Sequence, residues 1–150
     1  MRAWSVRKLG PGSTNRSFAR DSIPDRFGDI RLELNAEYRF YLTLLFGYPL
    51  EGALFTDIGN VWFRRENLDF PDGEFRLSRL FHDLAVGVGT GLRWDFGFLK
   101  ARFDFAWKAK DPSPEDPAAE NKWFYKTRLG FGDKDGRQGA QFQLGINYPF

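Results

Sequence analysis

Side chains able to do covalent or metal chemistry are scarce in this 150-residue chain. It has no cysteine, which removes thiol nucleophiles, Cys-based zinc sites and any disulfide framework. His82 is the only histidine, and it stands beside Asp83 with no second His or Cys to complete a metal site. No Gly-x-Ser-x-Gly occurs, so there is no nucleophile elbow. The run Gly87-Val88-Gly89-Thr90-Gly91 is glycine-rich but lies inside an alternating pattern, without the helix and lysine of a phosphate loop. Glu115, Asp116 and Glu120 cluster as in a calcium loop, yet three nearby prolines and irregular spacing read as a solvated loop. What remains is charge pairing. Asp57 sits in Phe55-Thr56-Asp57-Ile58-Gly59, Arg93 lies two residues before Asp95, and Arg102 two before Asp104. Guanidinium and carboxylate groups form strong bidentate pairs, which hold structure and break no bonds. These residues thus offer no catalytic, cofactor or metal site, and none is expected.

These charges fall on elements with a strict period of two, the strand signal. In the first segment Ile30, Leu32, Leu34, Ala36, Tyr38 and Phe40 share one face, while Arg31, Glu33, Asn35, Glu37 and Arg39 share the other. The second sets Leu50, Leu54, Ile58 and Trp62 against Glu51, Ala53, Phe55, Asp57 and Gly59. The third sets Leu84, Val86, Val88, Leu92, Trp94 and Phe96 against Ala85, Gly87, Gly89, Gly91, Arg93 and Asp95. In the fourth, Ala101, Phe103, Phe105 and Trp107 oppose Lys100, Arg102, Asp104 and Lys108. The fifth is the C-terminal stretch, where Ala140, Phe142, Leu144, Ile146, Tyr148 and Phe150 alternate with residues of which none is a large hydrophobe. Each run keeps its alternation for about 11–13 residues, against a usual strand of ~5–6.

A tilted strand crossing a bilayer needs ~9–11 residues. Here the apolar face is large and aromatic, and the opposite face is small or charged, the pattern of a membrane barrel with a polar lumen. Composition agrees. Aromatic residues make up 18% of the chain, 17 of them Phe, while the mean hydropathy is only −0.49. One-sided strands reconcile these values, and no apolar run approaches a membrane helix. A soluble sandwich or lipocalin-like barrel also alternates, but seldom for so long or with Trp and Phe outward. Net charge is +2, spread along the chain, so there is no electrostatic case for nucleic acid.

Connection lengths alternate as well. Short links lie at Phe46-Gly47-Tyr48-Pro49 and at Gly97; long polar ones run from Phe63 to His82 and from Asp111 to Gln138. Outer-membrane barrels keep short turns in the periplasm and long loops outside. Trp62, Trp94, Phe96, Trp107, Tyr148 and Phe150 fall near strand ends, where aromatic girdles lie. The five strands cannot close alone, because the smallest single-chain barrels use about 8. The first ten residues carry no signal-peptide h-region. Five such strands make either one part of a larger barrel or an oligomer, and the missing signal sequence, with a start inside what reads as a loop, favours the C-terminal part of a longer barrel.

Three motifs make the chain similar to the BamA/TamA-like outer-membrane assembly barrels, the bacterial surface antigen family. Met1, Arg2 and Trp4 match a hydrophobic-Arg-Gly-aromatic tetrad on an outer loop that folds back into the lumen, with Ala3 in place of Gly. Phe55, Asp57 and Gly59 match a Phe-x-Asp-x-Gly strand motif facing the lumen. Gln143, Gly145, Tyr148 and Phe150 match the C-terminal recognition signal of outer-membrane barrels, an edge that can be read by strand addition.

From the residues alone, Asp57 reads either as a solvated lumen carboxylate or as one half of an ion pair. The resemblance implies the pair, with Arg2 as partner and the loop pinned to the wall. The pairs Arg93/Asp95 and Arg102/Asp104 read as a solvated, mutually neutralising wall. Gly87, Gly89 and Gly91 read either as room for the returning loop or as relief for strand curvature. The resemblance implies an all-β fold: five antiparallel C-terminal strands (30–150) of a transmembrane β-barrel, sixteen-stranded when complete. Residues 1–29 would be part of the lumen-inserted outer loop. It also implies an outer-membrane location and a non-enzymatic role, inserting or translocating proteins without bond-breaking chemistry. The partners would be outer-membrane lipid, client outer-membrane or secreted proteins, the rest of the barrel and upstream periplasmic domains. A two-partner secretion pore, or the barrel anchor of a patatin-type lipid hydrolase, would carry similar motifs.

Overall fold

The computed structural model describes residues 1–4, 9–14, 28–113, 121–124 and 139–147. Tyr148 and Phe150 of the terminal motif lie outside the described residues. Five strands form one antiparallel sheet in sequence order: β1 (Ile30–Leu45), β2 (Tyr48–Trp62), β3 (Ala85–Asp95), β4 (Lys100–Lys110) and β5 (Gln141–Asn147). Among the described residues only a 3-10 turn, Leu77–Arg79, and a single helical turn, α1 (Leu80–Asp83), interrupt the β character. No described helix is long and apolar enough to cross a membrane, which leaves crossing by strands open.

The β1–β2 hairpin sets the register. Phe46 and Gly47 both adopt positive φ, 54° and 82°, as a two-residue type I′ turn requires. From there Tyr38 pairs with Leu54 and Asn35 with Asp57, with one bulge between Tyr41 and Thr43. At the second tight turn the Asp95 carboxylate accepts from the Gly97 amide at 2.9 Å, and the Phe96 amide donates to the Leu99 carbonyl at 2.9 Å.

Alternation then sorts the side chains onto two faces. One carries Leu34, Tyr38, Leu54, Leu92, Phe142 and Leu144, all exposed. Such a continuous apolar surface is not left to water in a soluble protein. At its short-turn end Phe46, Tyr48, Trp94 and Phe96 make an aromatic cluster, with Trp94 and Phe96 centroids 4.5 Å apart and Tyr48 and Phe96 5.2 Å apart. The other face carries the charges and the core of the fold, a cluster of Ala3, Trp4, Phe55, Ala85 and Ala106. The N-terminal segment is thus packed against this face.

One expectation fails at the long-loop end. Trp62 is fully buried, at 0% exposure, not on the apolar outer face. Pairing of β2 with β3 stops at Gly59–Ala85, while β1 stays paired to β2 as far as Trp62. Beyond that point the space beside β2 is filled by the β2–β3 connection and by residues 10–14. Trp62 meets Phe75 edge-on at 5.5 Å, and its indole N–H donates to Asp83 Oδ2 at 3.2 Å.

Candidate functional site: an arginine–carboxylate network on the charged face

Strand register stacks the charged-face residues in rows across the sheet. One row runs Glu37, Phe55, Gly89, Ala106 and Gln141; the next runs Arg39, Ala53, Gly91, Asp104 and Gln143; a third includes Glu51, Arg93, Arg102 and Gly145. Small residues flank the large ones, so long side chains can lie flat along the wall. A Cβ at Gly89 would collide with the Phe55 ring, and one at Gly91 would approach Arg93 Nη1 to 2.6 Å.

Into this trough comes Arg2. Its backbone amide donates to Asp57 Oδ2 at 2.8 Å, its Nη2 to Oδ1 at 2.7 Å, and its Nε to Oδ2 at 3.0 Å. Its Nη1 donates to Glu37 Oε2 at 2.7 Å. The guanidinium carbon lies 3.4 Å from the Phe55 ring centroid, a cation–π contact made stronger by exclusion of water. The Arg2 carbonyl in turn accepts from Gln143 Nε2 on β5 at 3.0 Å. One residue of the N-terminal segment therefore touches β1, β2 and β5.

A second arginine extends the network. Arg93 donates through Nε and Nη2 to Glu37 at 3.2 and 2.9 Å, and through Nη1 to Asp104 Oδ1 at 2.6 Å. Arg102 Nε donates to Asp104 Oδ2 at 2.7 Å, and Arg39 Nε to Glu37 Oε1 at 2.8 Å. Asp57 and Asp104 are each only 1% exposed. Carboxylates so deep are tolerable because every one is matched by guanidinium donors. Arg93 and Asp104 are thus not a solvated wall; Asp95, by contrast, leaves the group and pairs with Lys100 beside the turn at 2.7 Å.

The remaining motif residues are arranged around this network. Met1 is partly buried against the core cluster, and Trp4 packs within it. Ala3 has no positive φ, so the alanine is accommodated without left-handed backbone. Its methyl is received by Gly87, where a Cβ would come within 2.9 Å of Ala3 Cβ and 3.2 Å of the Trp4 ring. Of the three inward glycines, Gly87 makes room for the N-terminal segment, whereas Gly89 and Gly91 make room for wall side chains. Gly59 brings β2 close to β1, since a Cβ there would stand 3.0 Å from Glu33 Cα. Gly145 lies opposite Arg102 on β5. Glu37 is the participant that sequence reasoning passed over. Its position on the polar face of β1 was legible, but its place opposite Phe55 required the hairpin register.

No cluster of three or more His, Cys, Asp or Glu suited to a metal exists among the described residues. The network neutralises and immobilises charge.

A meander of long strands, apolar on one face and charged on the other, is the wall of a transmembrane β-barrel. The Omp85 superfamily domain matches the chain over residues 1–150, and the chain belongs to that superfamily of outer-membrane β-barrels. No curated protein and no solved structure matches it. Membership associates the chain in general with protein insertion or secretion at the bacterial outer membrane.

Proposed function

We propose that the chain is the C-terminal wall of a BamA/TamA-like barrel, sixteen-stranded when complete, that inserts client proteins into the outer membrane. Residues 1–29 belong to an outer loop whose tip returns into the lumen and locks there. The observation that carries this reading is the Arg2–Asp57 pair, four short contacts between a loop and a strand 55 positions apart. The lock braces the wall next to the last strand, where a seam could open to admit client strands by pairing. Open sheet edges cannot face hydrocarbon, each unsatisfied group costing several kcal/mol, so the edges of β1 and β5 call for further strands.

The test is Asp57→Ala in the full-length protein reconstituted in vesicles, followed by insertion of a reporter outer-membrane barrel. The expected result is impaired insertion with the strands still folded. Wild-type insertion would remove the lock from the mechanism. A wild-type protein that exports a secreted passenger but inserts no reporter would assign the barrel to secretion instead.

A further inference from the structure

The N-terminal segment touches the wall a second time, from three positions beyond Asp57 on β2 to the strand's end. Residues Gly10–Thr14 lie across the long-loop end of β2. The Gly12 amide donates to the Val61 carbonyl at 2.8 Å and the Ser13 amide to the Asp72 carbonyl at 3.2 Å. Gly12 is at φ +52, and a Cβ there would strike the Asp72 carbonyl, so no other residue fits. Its carbonyl oxygen accepts from both Asn60 Nδ2, at 2.8 Å, and Ser113 Oγ, at 3.1 Å. The Thr14 hydroxyl donates to the Pro71 carbonyl at 2.8 Å.

Asn60 is the centre of this contact. It is 1% exposed, and its amide nitrogen reaches Gly12 on one side and the Asp83 carbonyl, at 2.6 Å, on the other. Its Oδ1 accepts from the Val61 amide at 2.8 Å. Asp83 is fully buried and accepts from Trp62. Arg79 joins it at 3.5 Å, donates to Ser13 Oγ at 2.6 Å and bonds the Asp72 carboxylate. Burial alone would lower the Arg79 pKa, but the bond to Asp72 and the charges of Asp83, Asp72 and Glu74 outweigh it and raise it above its usual value. Lys110 is re-aimed by the irregularity in β4 pairing and donates to the Phe81 and His82 carbonyls at 2.6 and 3.0 Å, bracing the turn that carries Asp83.

None of these wall residues belongs to the Arg2 network. We propose that Asn60 and Asp83 form a separate stem anchor, which keeps Gly10–Thr14 fixed while the tip bearing Arg2 can leave Asp57. The segment is then held at two points that release independently, and the stem acts as the pivot of the tip. This goes beyond the insertion reading and stands whether the barrel inserts or exports proteins.

Amide hydrogen exchange of the full-length protein in lipid nanodiscs, read by mass spectrometry over residues 1–4 and 9–14, tests it. Asn60→Asp keeps the shape and the Oδ1 acceptor but deletes both donated bonds. It should speed exchange over 9–14 by about ten- to a hundredfold and leave 1–4 unchanged. Asp57→Ala should do the reverse. Joint acceleration of both stretches in either variant, or no change over 9–14 in Asn60→Asp, would overturn the proposal. If Asn60→Asp does not fold, Ser113→Ala removes one bond to the same carbonyl: several-fold faster exchange confined to 9–14 supports the stem anchor, and none refutes it.

Discussion

The side-chain amide of Gln143, on β5, hydrogen-bonds the backbone carbonyl of Arg2 at 3.0 Å. Gln143 is also the polar position of the terminal motif. The strand that would flank an opening seam is thus tied directly to the residue that would lock the loop. The tie is a single neutral hydrogen bond, worth about 0.5–1.5 kcal/mol. That is small enough to break when the strand moves, and large enough to bias the loop.

Gln143→Ala is therefore expected to loosen residues 1–4 without releasing them, since Asp57 and Glu37 still hold the guanidinium. Exchange of the Arg2 amide should rise by roughly two- to tenfold, the range of one such bond. The sheet should stay intact, because Gln143 pairs with Asp104 through its backbone. An unchanged Arg2 amide would show that β5 and the loop are not coupled by this contact.

Glu37 bridges two arginines, Arg2 and Arg93, and receives Arg39 at Oε1, the oxygen that also accepts from Arg93 Nε. Glu37→Gln keeps the volume and removes the charge, leaving guanidinium groups from β3 and the loop facing one another. Breaking one partner of a buried pair costs about 3–5 kcal/mol, and partial exposure of Glu37 places the effect at the low end. Stability in a urea titration of the lipid-folded protein should fall by about 3 kcal/mol. Adding Arg93→Met removes the excess cation while Asp57 keeps Arg2 and Asp104 keeps Arg102, and should recover part of that loss. A double variant no more stable than Glu37→Gln would contradict the assignment of the loss to uncompensated charge.

How much of this was legible beforehand follows from the range of each signal. Alternation is local, so all five strands and the polar side of Asp57, Arg93 and Asp104 could be read directly. Which charges meet is a matter of register, and register depends on the Phe46–Gly47 turn and the bulge after Tyr41. Glu37 was lost there. Trp62 was misplaced for another reason. Its parity is that of Leu54 and Ile58, but β2 parts from β3 after Gly59, and the cover over Trp62 comes from Phe75 and Asp83. Period-two reading cannot detect a cover supplied from elsewhere in the chain. Asn60 and Asp83 went unnoticed because neither residue belongs to a pattern; each is defined only by long-range contacts.

Ala3 and Gly87 make a reciprocal fit that can be exchanged. Gly87→Ala puts a methyl 2.9 Å from the Ala3 methyl, so the segment must lift or the strand must yield. The cost should be about 1–3 kcal/mol, the range of overpacking. Ala3→Gly alone opens a small void and should cost less. Together the two changes move one methyl from the loop to the wall, and the double variant should regain most of the stability of the parent. A double-mutant cycle should give a coupling of about 1–2 kcal/mol of opposite sign to the single losses. Simple additivity would mean that the two backbones do not approach as described.

The apolar face is expected to discriminate sharply from the charged one. Leu54 lies mid-strand on β2, opposite Tyr38 and Thr90, and is 53% exposed in the isolated sheet. In a barrel that exposure is to hydrocarbon. Leu54→Lys should cost about 2–4 kcal/mol in folding into bilayers, the range for a cation near the midplane. Leu54→Phe should be almost neutral. The control is Gln141→Lys on the opposite face, where a lumen-side charge should change stability little. Folding of the full-length protein into vesicles across a urea series measures all three variants. Equal tolerance of lysine at both positions would mean that the face of Leu34, Leu54 and Leu144 does not meet lipid, and the barrel-wall assignment of the two faces would have to be reversed or abandoned.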